Sequence, residues 1–315
     1  MPVFFLLLRH DTCMMNAVML DYQDFVTYLQ TEKRMSPHTV TAYEKDLSQF
    51  FSFVEEVVQA SSLNDVTPDD IRTWIITLLD DKGNTARTVN RKLSSLKAFY
   101  RYKMKVGHVH SNPTASILSP KTKKRLPVYV EQKEMESLFS SELFSDDFEG
   151  WRDRIILELF YATGIRLSEL LNLKSQDVDL SQNTIKVLGK RNKERIIPFG
   201  ENMHNLFTKY LDIYQKKNHP DLENYCIFVA ANGKSLYPKA VYRIVRKYLD
   251  MVTTIDKRSP HVIRHTFATH MLNNGADLNA IKTILGHSSL AATQVYTHNS
   301  MEQLKSIYKQ AHPRA

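Results

Sequence analysis

Cysteine is nearly missing from this chain of 315 residues: Cys13 and Cys226 are the only two. So sparse a set builds no disulfide framework, and a reducing cytoplasm fits. Long apolar runs are missing as well. No stretch approaches the roughly 18 residues that a membrane-spanning helix requires, so no membrane partner is expected. The opening "MPVFFLLLRH" has an apolar core, Val3 to Leu8, shorter than the ~7–15 residues of a secretory signal. No basic residue precedes it and no convincing small-residue cleavage site follows. Met14, Met15 and Met19 are alternative starts, and amphipathic patterning begins at "MLDYQDFVTYL", so residues 1–18 are expected outside the fold. No internal repeat is found. A further absence is of one charge sign. From Lys82 to Val130 there is no Asp or Glu, against twelve Lys or Arg, which leaves the rest of a +8 chain at −4. Basic charge so concentrated suggests a polyanion partner, although a solvated face followed by a basic linker fits composition equally well.

What is present is ordinary globular material, 43% hydrophobic and 24% charged, in a length that suits two domains. Residues 19–106 read as four helices. The first runs near 21–33 with Phe25 and Leu29 inward. The second, 36–57, starts with Ser36 as cap and Pro37 in the first turn, and carries Val40, Tyr43, Leu47, Phe50, Phe51 and Val54 as one apolar stripe. The third opens on Thr67, Pro68, Asp69 and Asp70. The fourth, 86–105, buries Val89, Leu93, Leu96 and Tyr100. Its opposite side offers Arg87, Arg91, Arg101 and Lys105, with small Ser94 and Ala98 between them. Lys97 belongs to the same basic helix. Residues 107–126, within "GHVHSNPTASILSPKTKKRLP", break periodicity with two X-Pro steps and carry Lys123, Lys124 and Arg125 near their end, a basic linker. Residues 127–315 form a larger, mainly helical domain. Within it "TIKVLGKRNKERIIPF" alternates like a hairpin or small sheet, and helices follow at 201–217, 238–250, 260–274 and 277–285.

The segment "SPHVIRHTFATHML", 259–272, concentrates polar chemistry. Ser259 and Pro260 start a helix, so His261 falls in the first turn and Arg264 three positions later on the same face. A helix N-terminus attracts anions, and Arg and His added there make a phosphate pocket. His261 and His265 are also spaced i, i+4 as metal ligands can be, but Val262 stands where a zincin carries its general-base Glu, and no Cys or carboxylate cluster is near in sequence. On this segment alone, ordinary polar decoration reads as well as a pocket. Elsewhere, "YATGIRLSELLNL" places Arg166 at a helix start, with Glu169 three residues on, able to hold it by a charge-assisted hydrogen bond. "ILGHSSLAATQVYTH" ends a helix at Leu285, turns at Gly286, and presents His287 and then Tyr296.

Together these segments resemble the tyrosine recombinase (integrase) family, and its Xer-type branch in particular. The resemblance runs over about residues 20–312 and meets the family's catalytic pattern at Arg166, Lys190, His261, Arg264, His287 and Tyr296, in order and without departure. It implies a helical core-binding (SAM-like) domain and a mainly helical catalytic domain with a small sheet, closing on DNA as a C-shaped clamp. It selects Tyr296 among fifteen tyrosines. It implies a 3′-phosphotyrosyl intermediate, needing neither ATP nor metal, and two protomers on each of two duplex sites. That tetramer is of this chain alone or with a paralogous recombinase, and cooperates with a DNA translocase to resolve chromosome or plasmid dimers. The C-terminal helix "SMEQLKSIYKQAH", with Leu304 and Ile307 on one face, either docks on its own domain or passes to a neighbouring subunit. The DNA-binding set expected is Arg87, Arg91, Lys97, Arg101, Lys105, Lys123, Lys124 and Arg125. Glu169 and His265 are supporting residues, His265 buttressing its helix. The competing readings are a phage or mobile-element integrase, a type IB topoisomerase and a non-catalytic DNA-binding protein.

Overall fold

The computed structural model describes residues 23–122, 128–140, 142–189, 194–218, 225–286 and 298–314. The expectations for residues 1–18, the linker cations Lys123, Lys124 and Arg125, and the candidates Lys190, His287 and Tyr296 therefore lie outside the described residues. The chain divides into two compact units, 1–125 and 126–315.

The first unit is helical: α1 (23–31), α2 (Pro37–Phe53), α3 (Pro68–Leu79) and α4 (Ala86–Lys105). Each start has its chemical reason. The Ser36 hydroxyl accepts from the Thr39 amide at 3.3 Å, and Thr67 and Asp70 close a reciprocal capping box, in which the Thr67 amide donates to Asp70 at 2.8 Å. Thr85 caps α4. α2 runs on through one π-helical turn, Val54–Val58, and stops where Gln59 adopts φ +54°. Of the expected stripes Phe25, Leu29, Val40, Leu47, Phe50, Val54, Val89, Leu93, Leu96 and Tyr100 are buried, while Tyr43 and Phe51 are half-buried against them; Phe50 packs edge-on against buried Trp74 of α3 at 4.9 Å. Two cations of α4 also face inward. Lys92 and Lys103 are buried. Lys92 meets the buried carboxylate of Asp46 on α2 at 3.3 Å.

The second unit wraps α6 (Phe148–Thr163), a helix buried on nearly every side as a central core helix must be. Around it lie α5 (Gln132–Ser140), α7 (Leu167–Leu171), α8 (Glu201–Asn218), α9 (Pro238–Val252), α10 (Pro260–Asn273), α11 (Leu278–Leu285) and α12 (His298–Ala311). The alternating segment becomes β2 (Thr184–Leu188) paired antiparallel with β3 (Glu194–Pro198), and a short strand β1 (Val178–Asp179) extends the sheet in the order β1-β2-β3. α12 lies on its own unit here. Leu304 and Tyr308 are buried, His312 reaches the Tyr161 carbonyl at 3.0 Å, and Arg314 pairs with buried Glu158 at 2.7 Å.

Candidate functional site

α6 ends abruptly at Gly164, whose φ of +58° is open to glycine at little cost. A Cβ there would also stand 2.6 Å from Phe267 and 2.7 Å from Leu285, so α10 and α11 approach this turn closely. The turn places Arg166 at the N-cap position of α7. Its amide and its guanidinium both donate to Glu169, each at 2.8 Å, so the pairing expected from the i, i+3 spacing forms. A second guanidinium nitrogen of Arg166 reaches the Gly286 carbonyl at 2.9 Å.

Arg264 arrives from α10. Pro260 occupies the first turn behind Ser259, as expected, and Arg264 extends to the carbonyls of Gly164 and, at 2.6 Å, Leu285. A third guanidinium, which the sequence reading missed, completes the cluster. Arg195 on β3 is buried and grips both oxygens of Glu169 at 2.6 and 2.8 Å, while its Nε donates to the Ile284 carbonyl at 2.8 Å. Its signal was present: in β3 the buried positions alternate through Arg195 and Ile197, so an arginine sits where the strand's period calls for an apolar side chain.

Arg166 and Arg195 therefore share one carboxylate, and with Arg264 they converge on the last three carbonyls up to the α11 C-cap, the negative end of that helix. Electrostatics follow from the crowding. Burial by itself would raise Glu169, but the Arg195 hydrogen bonds and charge, with Arg166, overcome it and hold the carboxyl at about 2. Arg264 is pushed down to about 9, first by burial and then by the charges of Arg166 and Arg195. Three cations around one anion leave an excess of positive charge. Arg166 keeps part of its side chain exposed, at 30%. A site of this kind holds an anion and stabilises further negative charge that develops on it.

His261 is exposed in the first turn of α10, one turn before Arg264. His265 is exposed too. The buried histidine of this helix is His270, bonded through Nδ1 to the Tyr161 hydroxyl at 2.9 Å, burial lowering its pKa. The helix turns roughly 100° per residue, so 263, 267 and 270 share the inward face while 265 points away.

On the basic helix of the first unit, Arg87, Arg91, Arg101 and Lys105 are exposed as expected, but not all are free. Arg91 is ion-paired with Asp46. The Lys97 ammonium donates to the Ile117 carbonyl at 2.9 Å, Arg101 Nε to the Lys97 carbonyl at 3.1 Å, and Lys105 lies 5.6 Å from the centre of the Tyr28 ring. α9 adds a strip that the sequence reading passed over: Lys239, Tyr242 and Arg243, exposed at i, i+3, i+4 on the side away from buried Val241, Ile244 and Val245.

Residues 128–303 match the phage integrase family, and residues 22–107 match the phage integrase N-terminal SAM-like domain. The chain is 39% identical over 317 aligned residues to tyrosine recombinase XerC of Chlorobaculum parvum, covering 93% of this chain and 94% of the relative. Against tyrosine recombinase XerC of Staphylococcus carnosus it is 38% identical, with 93% and 97% covered. In fold it is similar to the XerH site-specific recombinase bound to palindromic difH substrate, with TM-score 0.67 and 20% identity over 90% of this chain and 82% of that one. It is also similar to the Tn1549 transposon integrase in complex with circular intermediate DNA, with TM-score 0.66 and 21% identity over 89% and 97%. The arginine centre, the helical architecture with its small sheet, and matches of this extent lead to one assignment: the chain belongs to the phage integrase family of tyrosine recombinases.

Proposed function

We propose that this chain is a site-specific DNA recombinase of the Xer type, cutting and rejoining duplex DNA through a 3′-phosphotyrosyl intermediate. The observation that carries the reading is the pair Arg166 and Arg264, brought from separate helices to one point with an excess of positive charge. A phosphodiester is anionic and gains charge as a fifth oxygen approaches phosphorus. Each well-placed donor to its nonbridging oxygens is typically worth about 10²–10³ in rate.

In the reaction the Tyr296 oxygen bonds to phosphorus and the bond from phosphorus to the 5′ oxygen breaks. A tyrosine hydroxyl has an ordinary pKa of about 10, so it needs a base, and His261 takes its proton. Lys190 gives a proton to the departing 5′ oxygen. Arg166, Arg264 and His287 hold the nonbridging oxygens. Attack by a 5′ hydroxyl from the partner duplex reverses the step and releases Tyr296. The phosphotyrosyl bond conserves the energy of the bond it replaces, so the cycle calls for no ATP, and the donor set for no metal. DNA is held by the exposed cations of α4, by Lys123, Lys124 and Arg125, and by the α9 strip. The working assembly is a tetramer on two sites, of this chain or of this chain with a paralogue, with α12 exchanged between subunits and a DNA translocase as further partner. Its place is the cytoplasm, on the nucleoid.

The test is a nicked suicide duplex carrying a candidate site, which traps the intermediate as a denaturation-resistant adduct. Tyr296→Phe is expected to abolish the adduct and leave DNA affinity nearly unchanged. An adduct that persists in this variant rules out the nucleophile. Two differently labelled sites in one reaction separate strand exchange from mere relaxation.

A further inference from the structure

Arg195 has no part in the chemistry just described, yet it is the most deeply placed cation of the site, its side chain 5% exposed. A buried guanidinium is costly unless every donor is met, so its surroundings state its purpose. Both terminal nitrogens fork onto the two oxygens of Glu169, and Nε holds the Ile284 carbonyl. Its Cδ lies 3.0 Å from where a Cβ on Gly286 would stand, so the left-handed glycine that closes α11 is moulded against it. Glu169 thus receives a planar, two-pronged partner from Arg195 and only one guanidinium bond from Arg166.

We propose that Arg195 is a positioning residue for strand cleavage: as counterion to Glu169 it lets that carboxylate orient Arg166 without neutralising it, and it fixes the carbonyl end of α11 on which Arg166 and Arg264 rest. With Arg195 in place, the centre holds three guanidiniums against one carboxylate, and the surplus charge resides on the two that face an incoming phosphate. Take Arg195 away and, among the described residues, the only remaining guanidinium bonded to Glu169 is Arg166, which would close a full ion pair and face the phosphate with its charge largely spent. The low carboxyl pKa of Glu169 agrees, since the Arg195 hydrogen bonds and charge outrank those of Arg166 in opposing the effect of burial.

This inference rests on the recombinase reading, and its test separates the two. Single-turnover adduct formation on the suicide duplex is measured for the full chain, R195Q, E169Q, E169Q/R195Q and R195K, with DNA affinity and thermal melting recorded for each. Arg195→Gln is expected to slow cleavage about 100-fold, the worth of one oriented transition-state donor, with DNA affinity held within about threefold because no phosphate contact is lost. In the E169Q background, where no carboxylate is left to capture Arg166, the same change is expected to cost about threefold or less, the non-additivity that coupled residues show. Arg195→Lys keeps the charge and loses the fork, and should retain most of the rate. Equal cost in both backgrounds means Arg195 only packs, and overturns the proposal. So does an Arg195→Lys variant as slow as Arg195→Gln or, where Arg195→Gln fails to fold, one slowed more than about 100-fold. A wild-type chain that forms no adduct would instead remove the functional reading itself.

Discussion

Each unit of this protein has a buried carboxylate met by two cations, Asp46 in the first and Glu169 in the second, and these two clusters differ in what they do with the charge. Asp46 in the first unit, its side chain 1% exposed, accepts from Arg91, Lys92 and the Ser95 hydroxyl. All three donors come from α4, so the cluster riveting α2 to α4 is part of a helix–helix contact. Glu169 in the second unit, 2% exposed, is matched by Arg166 and Arg195 from different elements, and those arginines, with Arg264, also cap the carbonyls at the end of α11. Lys92 spends its remaining bonding on Gln49, within the fold. Arg166 and Arg264 keep their surplus charge near a surface. A buried carboxylate can thus serve to join helices or to aim cations, and the number and origin of its partners decide which.

Removing each carboxylate should therefore break different things. Asp46→Ala strands Lys92 beside a cavity, and breaking one side of a buried pair costs about 3–5 kcal/mol of stability. Urea unfolding of the first unit is the measurement, and cleavage per bound complex should stay within about twofold. A loss of cleavage without loss of stability would mean that the two clusters are coupled. Acid should act on the other cluster. The Glu169 carboxyl lies at about 2 when folded against an ordinary 4.5. A lowered pKa gives stability that is fully present above the ordinary value and lost as pH falls toward the folded one. Between about pH 5 and pH 2 the second unit should lose at most about 3 kcal/mol through this residue. Glu169→Gln should flatten that part of the stability–pH curve, and an unchanged curve would show that other carboxylates govern it.

Much of this comparison was written in the local sequence, and the rest was not, for a physical reason. Caps at Ser36 and Thr67, the stripe of α4 and the Arg166–Glu169 pair are interactions within four residues, which spacing reports directly. The partners of Asp46 are 45 to 49 positions away, and Arg195 meets Glu169 across 26, so only packing reveals them. Even there a trace existed: Asp46 lies a helical turn before Phe50 on a buried face, and Arg195 is in phase with Ile197. His265 is exposed beside the motif, whereas the inward stripe Ile263, Phe267 and His270 marks the buried histidine of the same helix. Tyr296 had no local signal at all. Its selection came from resemblance, and it lies outside the described residues.

Two glycines with nearly the same positive φ give the comparison its finest form. Gly83 in the first unit and Gly164 in the second have φ of +57° and +58°. An alanine at either pays the same left-handed strain, about 1–2 kcal/mol. Their surroundings differ. Nothing lies within 4 Å of a Cβ on Gly83, while one on Gly164 would press on Phe267 and Leu285, which adds about 1–3 kcal/mol of overpacking. Gly83→Ala therefore measures strain alone, and the excess cost of Gly164→Ala measures how tightly α10 and α11 close on the end of α6. Because the Gly164 carbonyl is also an acceptor for Arg264 and Leu285 supplies the other, the second substitution should slow cleavage as well as lower stability. Equal unfolding costs for the two alanines, measured side by side, would mean that the turn before Arg166 yields freely, and that the arginine centre is held by its ionic contacts and not by the packing around it.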